Sequence, residues 1–160
     1  PTSRGTLWVD SADPAAAPKF RFNYLSTDYD RAVAIAAVKA TRELFQQRAW
    51  HGRLSQELSG VEKLETDKDI IKWIYRHVES NYHPCGTCSM GRDDKAVTDA
   101  QGRVHGHNNL RVVDASIIPA IPSGNLNAVT IMLAEKIADS ILGLAPLAPE
   151  YPERDECQSA

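Results

Sequence analysis

The chain has 160 residues, of which 42% are hydrophobic and 24% charged, an ordinary composition for a globular protein. Eighteen basic and 21 acidic residues leave a formal net charge of −3, so no global positive field attracts nucleic acid. No apolar run reaches about eighteen residues, so no transmembrane segment is predicted. Three cysteines do not make a disulfide scaffold, which indicates a reduced, intracellular protein.

The first predicted elements are two strands and a long helix. Residues 6–10 and 19–25 are aromatic or β-branched and partly alternating, which is typical of strands. Thr27 and Asp30 have the spacing of a capping box and predict the start of a helix that ends by His51. The start at Pro1, without an initiator Met, predicts that the chain begins inside a longer protein.

A second helix follows a repeat of the same capping signal. Thr66 and Asp69 again have capping-box spacing. The apolar stripe of this helix is formed by three residues at helical spacing, Ile70, Ile74 and Val78.

The second half of the chain has a different texture, rich in Gly, Asn, Asp and His. A hairpin is predicted at residues 99–102, followed by a buried strand over 109–114 that ends in a carboxylate. A helix over 128–142, closed by Gly143, is apolar on nearly every side, which predicts burial inside a larger protein. Residues 145–160 are Pro-rich and acidic and are predicted to form a flexible tail.

One stretch of letters suggests metal chemistry. His77-Val-Glu79 followed by Pro84-Cys85-Gly-Thr-Cys88 matches a zinc deaminase signature. Only four residues separate the two halves, which leaves no room for the separate helices that such a site needs. Cys85 and Cys88 could also form a redox dithiol, although the strand–helix context of one is missing. Two small buried thiols are the simplest interpretation, and no metal is predicted.

Three motifs that follow one another along the chain give these residues a different interpretation. Residues 83–91 (HPCGTCSMG) resemble the HPxGTxxMG motif of the glucose-methanol-choline oxidoreductases. Residues 109–116 (NLRVVDAS) resemble that family's NLRVxDAS strand, and residues 123–139 resemble its GNxNAxxxxxAEKxAD helix. Within the family, residues 22–26, 77–80 and 83–88 most resemble members that oxidise choline.

The resemblance implies an α+β architecture from the carboxy-terminal portion of such an enzyme. Residues 1–108 would belong to an antiparallel substrate domain with helices, and residues 109–144 to a strand and helix that return to the FAD-binding domain. The family binds FAD through an amino-terminal GxGxxG turn, and these 160 residues contain no such motif. FAD is therefore expected to be held mainly by the missing amino-terminal domain.

The resemblance also assigns roles to individual residues. His83 matches the catalytic base, a task that a neutral imidazole suits. Asn125 matches the position opposite it, where an amide would orient the substrate oxygen rather than take a proton. Tyr82 could offer an aromatic face to a quaternary ammonium. The positions that match the cofactor lining are Asp114, Ala115, Asn125, Leu126 and Asn127, the last of which is also expected to cap its helix.

The implied function is FAD-dependent oxidation of a primary alcohol to an aldehyde, with choline and glycine betaine synthesis as the expected setting. The implied partners are the alcohol, the protein's own amino-terminal domain and an electron acceptor, in the cytoplasm or peripheral at the inner face of a membrane. A second hypothesis is a non-catalytic domain that pairs with itself or a partner through exposed residues of the last helix, Val129, Met132, Leu133 and Ile137. A third is a redox or zinc site at Cys85 and Cys88.

Overall fold

The computed structural model describes residues 1–57 and 63–151, and it confirms an α+β architecture with three helices and a small antiparallel sheet among those residues. The chain divides into two compact units, an amino-terminal unit over Pro1–Tyr82 and a carboxy-terminal unit from His83 onward. Residues 145–151 are exposed and irregular, and the remainder of the predicted tail lies outside the described residues. No described helix has both the length and the apolar character needed to cross a membrane.

The two predicted strands pair with each other but are shorter than predicted. Strands β1 (Thr6–Trp8) and β2 (Lys19–Arg21) are antiparallel, with Leu7 opposite Phe20. Every residue of both strands is exposed, so the ribbon gains little from burial. The ring of Phe20 lies 5.0 Å from that of Phe22, which in turn stacks 5.1 Å from that of Tyr24.

Helix α1 (Asp28–Phe45) begins as predicted at Thr27, whose side chain accepts a hydrogen bond from the Asp30 N–H. The capping box is only half formed, because the buried Asp30 carboxylate instead accepts hydrogen bonds from Thr2 N (2.7 Å) and Ser3 N (2.7 Å). Hydrogen bonding with the Ser3 side chain, followed by the bonds from the backbone N–H groups of Thr2 and Ser3, lowers the pKa of Asp30 well below its ordinary value. Asp30 thereby fastens the first residues of the chain to the start of α1.

Helix α2 (Asp67–His77) has the complete capping box that the sequence predicts. The Thr66 side chain accepts from Asp69 N, and the Asp69 side chain accepts from Thr66 N. Ile70 and Ile74 are buried as predicted, where α2 packs against α1. Val78, the third predicted stripe residue, is the C-cap and is exposed, because the helix has ended there.

The carboxy-terminal unit is built from turns and single bridges. The predicted hairpin is confirmed: Gly102 N donates to Asp99 O (3.0 Å), and Asp99 N donates to Arg103 O (2.9 Å). The predicted strand over 109–114 is wrong, because these residues contribute one isolated bridge, between Arg103 and Arg111. The segment is half-buried or exposed and lacks the continuous partner that would extend the ladder.

The last helix, α3 (Leu126–Leu142), begins two residues earlier than predicted and ends as predicted with Gly143 in the left-handed conformation (φ 70°). The predicted exposed face of Val129, Met132, Leu133 and Ile137 is wrong at Ile137, which is buried at 2% exposure within its unit, and Val129 and Leu133 are half-buried. Met132 is exposed as predicted. The apolar side chains exposed on α3 are Ile131, Met132, Ile141 and Leu142.

Candidate active site

The proposed base lies at the start of the carboxy-terminal unit. His83 is half-buried and belongs to an irregular segment that leads into the loop 83–91. Tyr82, the last residue of the amino-terminal unit, has a positive φ of 57° and an 83% exposed side chain. Its N–H donates to Ser80 Oγ (3.1 Å), which supports a backbone conformation that bulky residues seldom adopt.

The loop 83–91 is fixed to the second motif by backbone hydrogen bonds. Cys88 N donates to Ser116 O (3.0 Å), and Met90 N donates to Ile117 O (2.8 Å). Thr98 Oγ1 donates to Cys88 O (3.2 Å), and both Thr98 and Ile117 are almost completely buried. Two motifs about 25 residues apart along the chain thus form one packed substructure.

Asp114 and Ala115, the residues matched to the cofactor at the end of the predicted strand, lie at a short turn. Asp114 is exposed and is the N-cap of a 3₁₀ turn over Ala115–Ile117, with its Oδ1 accepting from Ser116 N (2.7 Å). Ala115 is half-buried. The Asp114 carboxylate therefore shapes this turn, and the turn presents Ser116 O and Ile117 O to the loop 83–91.

The third motif places three candidate residues at the start of α3. Asn125 is the N-cap and is exposed, and its side chain makes no capping hydrogen bond. The prediction that Asn127 caps the helix is wrong, because Asn127 lies inside the first turn. Leu126 is 5% exposed, so its side chain is part of the core and only its backbone could meet a cofactor.

No carboxylate lies in the first turn of α3. The first N–H groups of a helix lack intrahelical partners and carry partial positive charge. This helix start therefore has neither an acidic side chain nor a side-chain cap to offset that charge. It is suited to an anionic or electron-rich group.

Most of the predicted site residues belong to the same compact unit. His83, Asp114, Ala115, Asn125, Leu126 and Asn127 all belong to the carboxy-terminal unit. Tyr82 belongs to the other unit. The roles of these residues toward substrate and cofactor remain predictions.

The cysteine pair shows thiols in a folded loop. Cys85 and Cys88 are both half-buried, and neither is disulfide-bonded. His77, the other half of the deaminase-like signature, stacks on Trp73 with ring centroids 4.6 Å apart and hydrogen-bonds through Nδ1 to Trp73 O (2.8 Å). Within residues 1–57 and 63–151, no group of three or more His, Cys, Asp or Glu side chains could hold a metal ion.

Sequence reasoning missed the residues that support the loop. Thr98 is 0% exposed and donates a hydrogen bond to the loop carbonyl of Cys88, yet a lone Thr gives no signal in the sequence.

The hairpin beside Thr98 depends on Gly102 and Asp99. Gly102 has φ 71°, and a Cβ there would lie 2.6 Å from Val112 O. Desolvation opposes ionisation of Asp99, but N–H groups of Arg103 and Gln101 outweigh it, so the pKa of Asp99 is lowered.

Comparison with known proteins gives a consistent result. The carboxy-terminal family model described as GMC oxidoreductase matches residues 1–134. An oxygen-dependent choline dehydrogenase of Chromohalobacter salexigens is 50% identical over 145 residues, which are 91% of this chain and 26% of that protein. The protein of the same name from Proteus mirabilis is 46% identical, also over 91% of this chain and 26% of its own length. The chain thus spans about a quarter of the length of these curated relatives.

Solved structures agree with the sequence matches. Pyridoxine 4-oxidase from Mesorbium loti has a TM-score of 0.83 at 33% identity, covering 91% of this chain and 28% of that one. Formate oxidase from Aspergillus oryzae RIB40, in a structure concerned with FAD modification, has a TM-score of 0.81 at 28% identity, covering 87% of this chain and 24% of that one.

Proposed function

The chain belongs to the GMC oxidoreductase family, and from that premise we propose that it is the carboxy-terminal part of an FAD-dependent enzyme that oxidises choline to betaine aldehyde. The observation that carries the proposal is the 50% identity to an oxygen-dependent choline dehydrogenase over 91% of the chain. The packing of the loop 83–91 against residues 116–117 supports it, because it shows that two of the matched motifs form one local structure.

The residues at the start of α3 fit a flavin. When bound, FAD supplies the acceptor for the hydride that the alcohol loses. The uncapped N-terminus of α3 would stabilise negative charge that develops on such a ring. The groups that would face the flavin are the Asn127 side chain and the backbone N–H groups of Leu126 and Asn127. Asp114 and Ala115 would line the same cofactor.

The chemistry on the protein side is the removal of one proton. Oxidation of a primary alcohol takes the hydroxyl proton and a hydride from the adjacent carbon. His83 would take the hydroxyl proton as a neutral imidazole, which operates near neutral pH. Its half-buried position suits this task, because a ring that is partly shielded from water holds its orientation toward the substrate.

The substrate would be oriented by Asn125 and Tyr82. The Asn125 side chain is exposed and is not used to cap α3, so its amide is available to hydrogen-bond the substrate oxygen. The exposed Tyr82 ring would give the quaternary ammonium of choline an aromatic face.

The remainder of the enzyme would come from the part of the longer protein that this chain does not span. That part would carry the GxGxxG turn and hold most of the FAD. The exposed apolar side chains of α3, among them Ile131 and Met132, would be covered by it. An electron acceptor would reoxidise the flavin, and the expected location is the cytoplasm, free or peripheral at the inner face of a membrane.

The test is to produce the longer protein that contains this chain and to record its visible absorbance without oxygen. We expect a yellow flavoprotein whose flavin band is bleached by choline and not by tetramethylammonium, which has the charge but no hydroxyl. A flavin-loaded protein that choline does not reduce would refute the proposal.

A further inference from the structure

A basic cavity on α2 is not used by the proposed reaction. It is an open cavity of about 350 Å³ within the amino-terminal unit, and Lys63, Lys72, Arg76 and His77 line it. The three residues with full positive charge form no ion pair with any residue in the described ranges 1–57 and 63–151. The positive charge of this cavity contrasts with the formal net charge of the chain, which is −3.

The spacing of these cations has an energetic cost. Lys72 and Arg76 are four residues apart on α2 and therefore share one face of the helix. Like charges at this spacing destabilise a helix, and a bound anion would remove that repulsion. The single carboxylate that lines the cavity, Asp69, accepts two hydrogen bonds from Thr66 in the capping box. The hydrogen bonds from Thr66, and to a smaller extent the charges of Lys72 and Lys68, lower the pKa of Asp69, so its carboxylate is engaged in the helix cap and offsets only part of the positive charge of the cavity.

A pair of stacked rings forms one wall of the cavity. The His77 ring stacks on Trp73 and is held by its Nδ1–H, which donates to Trp73 O (2.8 Å) because a carbonyl can only accept. That bond leaves His77 Nε2 as the ring nitrogen available for another contact. Leu64 and Trp73 supply the apolar part of the lining. Three exposed cations beside an aromatic and aliphatic wall form a setting in which a small anion can be held.

We propose that this cavity binds a tetrahedral oxyanion, a sulfate or phosphate group, through Lys63, Lys72 and Arg76. Arginine and lysine side chains make charge-assisted hydrogen bonds to such oxygens, and the fork of Arg76 can make two in parallel. None of these three residues takes part in the proposed oxidation, so the two proposals can be tested independently.

The experiment measures how sulfate protects individual lysines from acetylation, read by mass spectrometry on the 160-residue chain. Sodium sulfate replaces sodium chloride at constant ionic strength. We expect saturable protection of Lys63 and Lys72, about tenfold when sulfate is about ten times its dissociation constant. Lys68 lies on the same helix outside the cavity and is the internal control. Equal protection of Lys68, or no saturation at Lys72, would overturn the proposal.

Two variants make the assignment specific. Arg76→Gln should weaken the protection of Lys72 about tenfold or more, since hydrogen bonds to charged groups are the stronger kind. Arg53→Gln, an exposed arginine of the same unit, changes the net charge equally and should leave the protection unchanged. If Arg76→Gln loses helix content by circular dichroism, Lys63→Gln, monitored at Lys72, replaces it. Equal effects of the Arg76 and Arg53 variants would show a diffuse response to charge and no site.

A second arm distinguishes the source of the oxyanion. Vesicles of phosphatidylcholine with phosphatidylglycerol present the phosphate group on a surface. Protection of Lys72 by these vesicles, competed by sulfate, would identify a lipid headgroup as the ligand. Protection by sulfate alone would identify a free anion.

Discussion

Helices α2 and α3 begin in opposite ways. At α2, Thr66 and Asp69 satisfy each other's backbone N–H groups, and the first turn carries two carboxylates, Asp67 and Asp69. At α3, Asn125 occupies the N-cap without a side-chain hydrogen bond, and the first turn has no carboxylate. Both helices have the same four unpaired N–H groups to satisfy, so the difference lies in what each sequence offers them.

The start of α2 is built for stability, whereas the start of α3 is suited to a ligand. A capping box and acidic residues satisfy the start of α2 from within the chain, and that helix needs nothing else. The start of α3 leaves its positive end open, which costs stability in this chain but suits a negatively polarised partner. Of the residues matched to substrate and cofactor, Asn125, Leu126 and Asn127 lie at this open helix start.

The largest expected effect is on catalysis, and it tests whether His83 acts as the base beside the open start of α3. In the longer flavoprotein, His83→Ala should lower kcat by about 10²–10⁴ with FAD content unchanged, the range for losing general acid–base catalysis. The measurement is steady-state turnover of choline together with flavin absorbance. His107→Ala, an exposed histidine of the same unit, is the control. Near-normal kcat with full FAD content would remove His83 from the mechanism.

The next effect concerns the start of α1, where Asp30 binds the chain's first residues. Asp30→Asn should destabilise the protein more than loss of a single helix cap, because a neutral amide accepts hydrogen bonds from Thr2 N and Ser3 N less well. The measurement is the urea midpoint of unfolding. Asp28→Asn, an exposed carboxylate in the same first turn, should have a small effect.

The same carboxylate predicts a pH dependence. Because folding lowers the pKa of Asp30, its contribution to stability is present above the ordinary Asp value of about 4 and is lost as the pH falls below it. The Asp30→Asn variant should lack this part of the acid-induced loss. Identical acid unfolding profiles for the two proteins would refute the assignment.

A smaller effect compares the two helix starts directly. Thr66→Ala should lower the free energy of unfolding by about 1 kcal/mol, since it removes a formed cap. Asn125→Ala should cost clearly less, because no side-chain cap exists there to lose. Both are read from chemical denaturation, and equal losses would mean that the α3 start is capped in solution.

The smallest effect is expected from giving the start of α3 an acidic residue, which the start of α2 already has. Asn125→Asp places a carboxylate at the open helix start and should raise the free energy of unfolding by about 0.3–1 kcal/mol. In the longer protein the same change should slow choline oxidation, because a fixed negative charge would oppose charge developing on the flavin. A variant that is both more stable and fully active would show that the open end has no catalytic use.

The starts of α1 and α2 and the end of α3 were predictable from the sequence, whereas the start of α3 was not. Thr27, Thr66 and Gly143 act through atoms within a few residues of themselves, so local spacing is sufficient. The hairpin at 99–102 belongs to the same class, because its hydrogen bonds close over four residues. The family motifs were also legible, since a resemblance depends on residue order alone.

The tertiary structure decided where these local elements are covered and what holds the loop 83–91. Ile137 and Ile141 are both isoleucines of the same apolar helix, yet Ile137 is buried and Ile141 is exposed. Only the packing within the carboxy-terminal unit distinguishes the two positions. Residues 109–114 have the composition of a strand but meet no continuous edge, so they form one bridge. Thr98 and Asp30 bond groups about 10 and 28 residues away, and no local pattern encodes a contact whose partner is that distant.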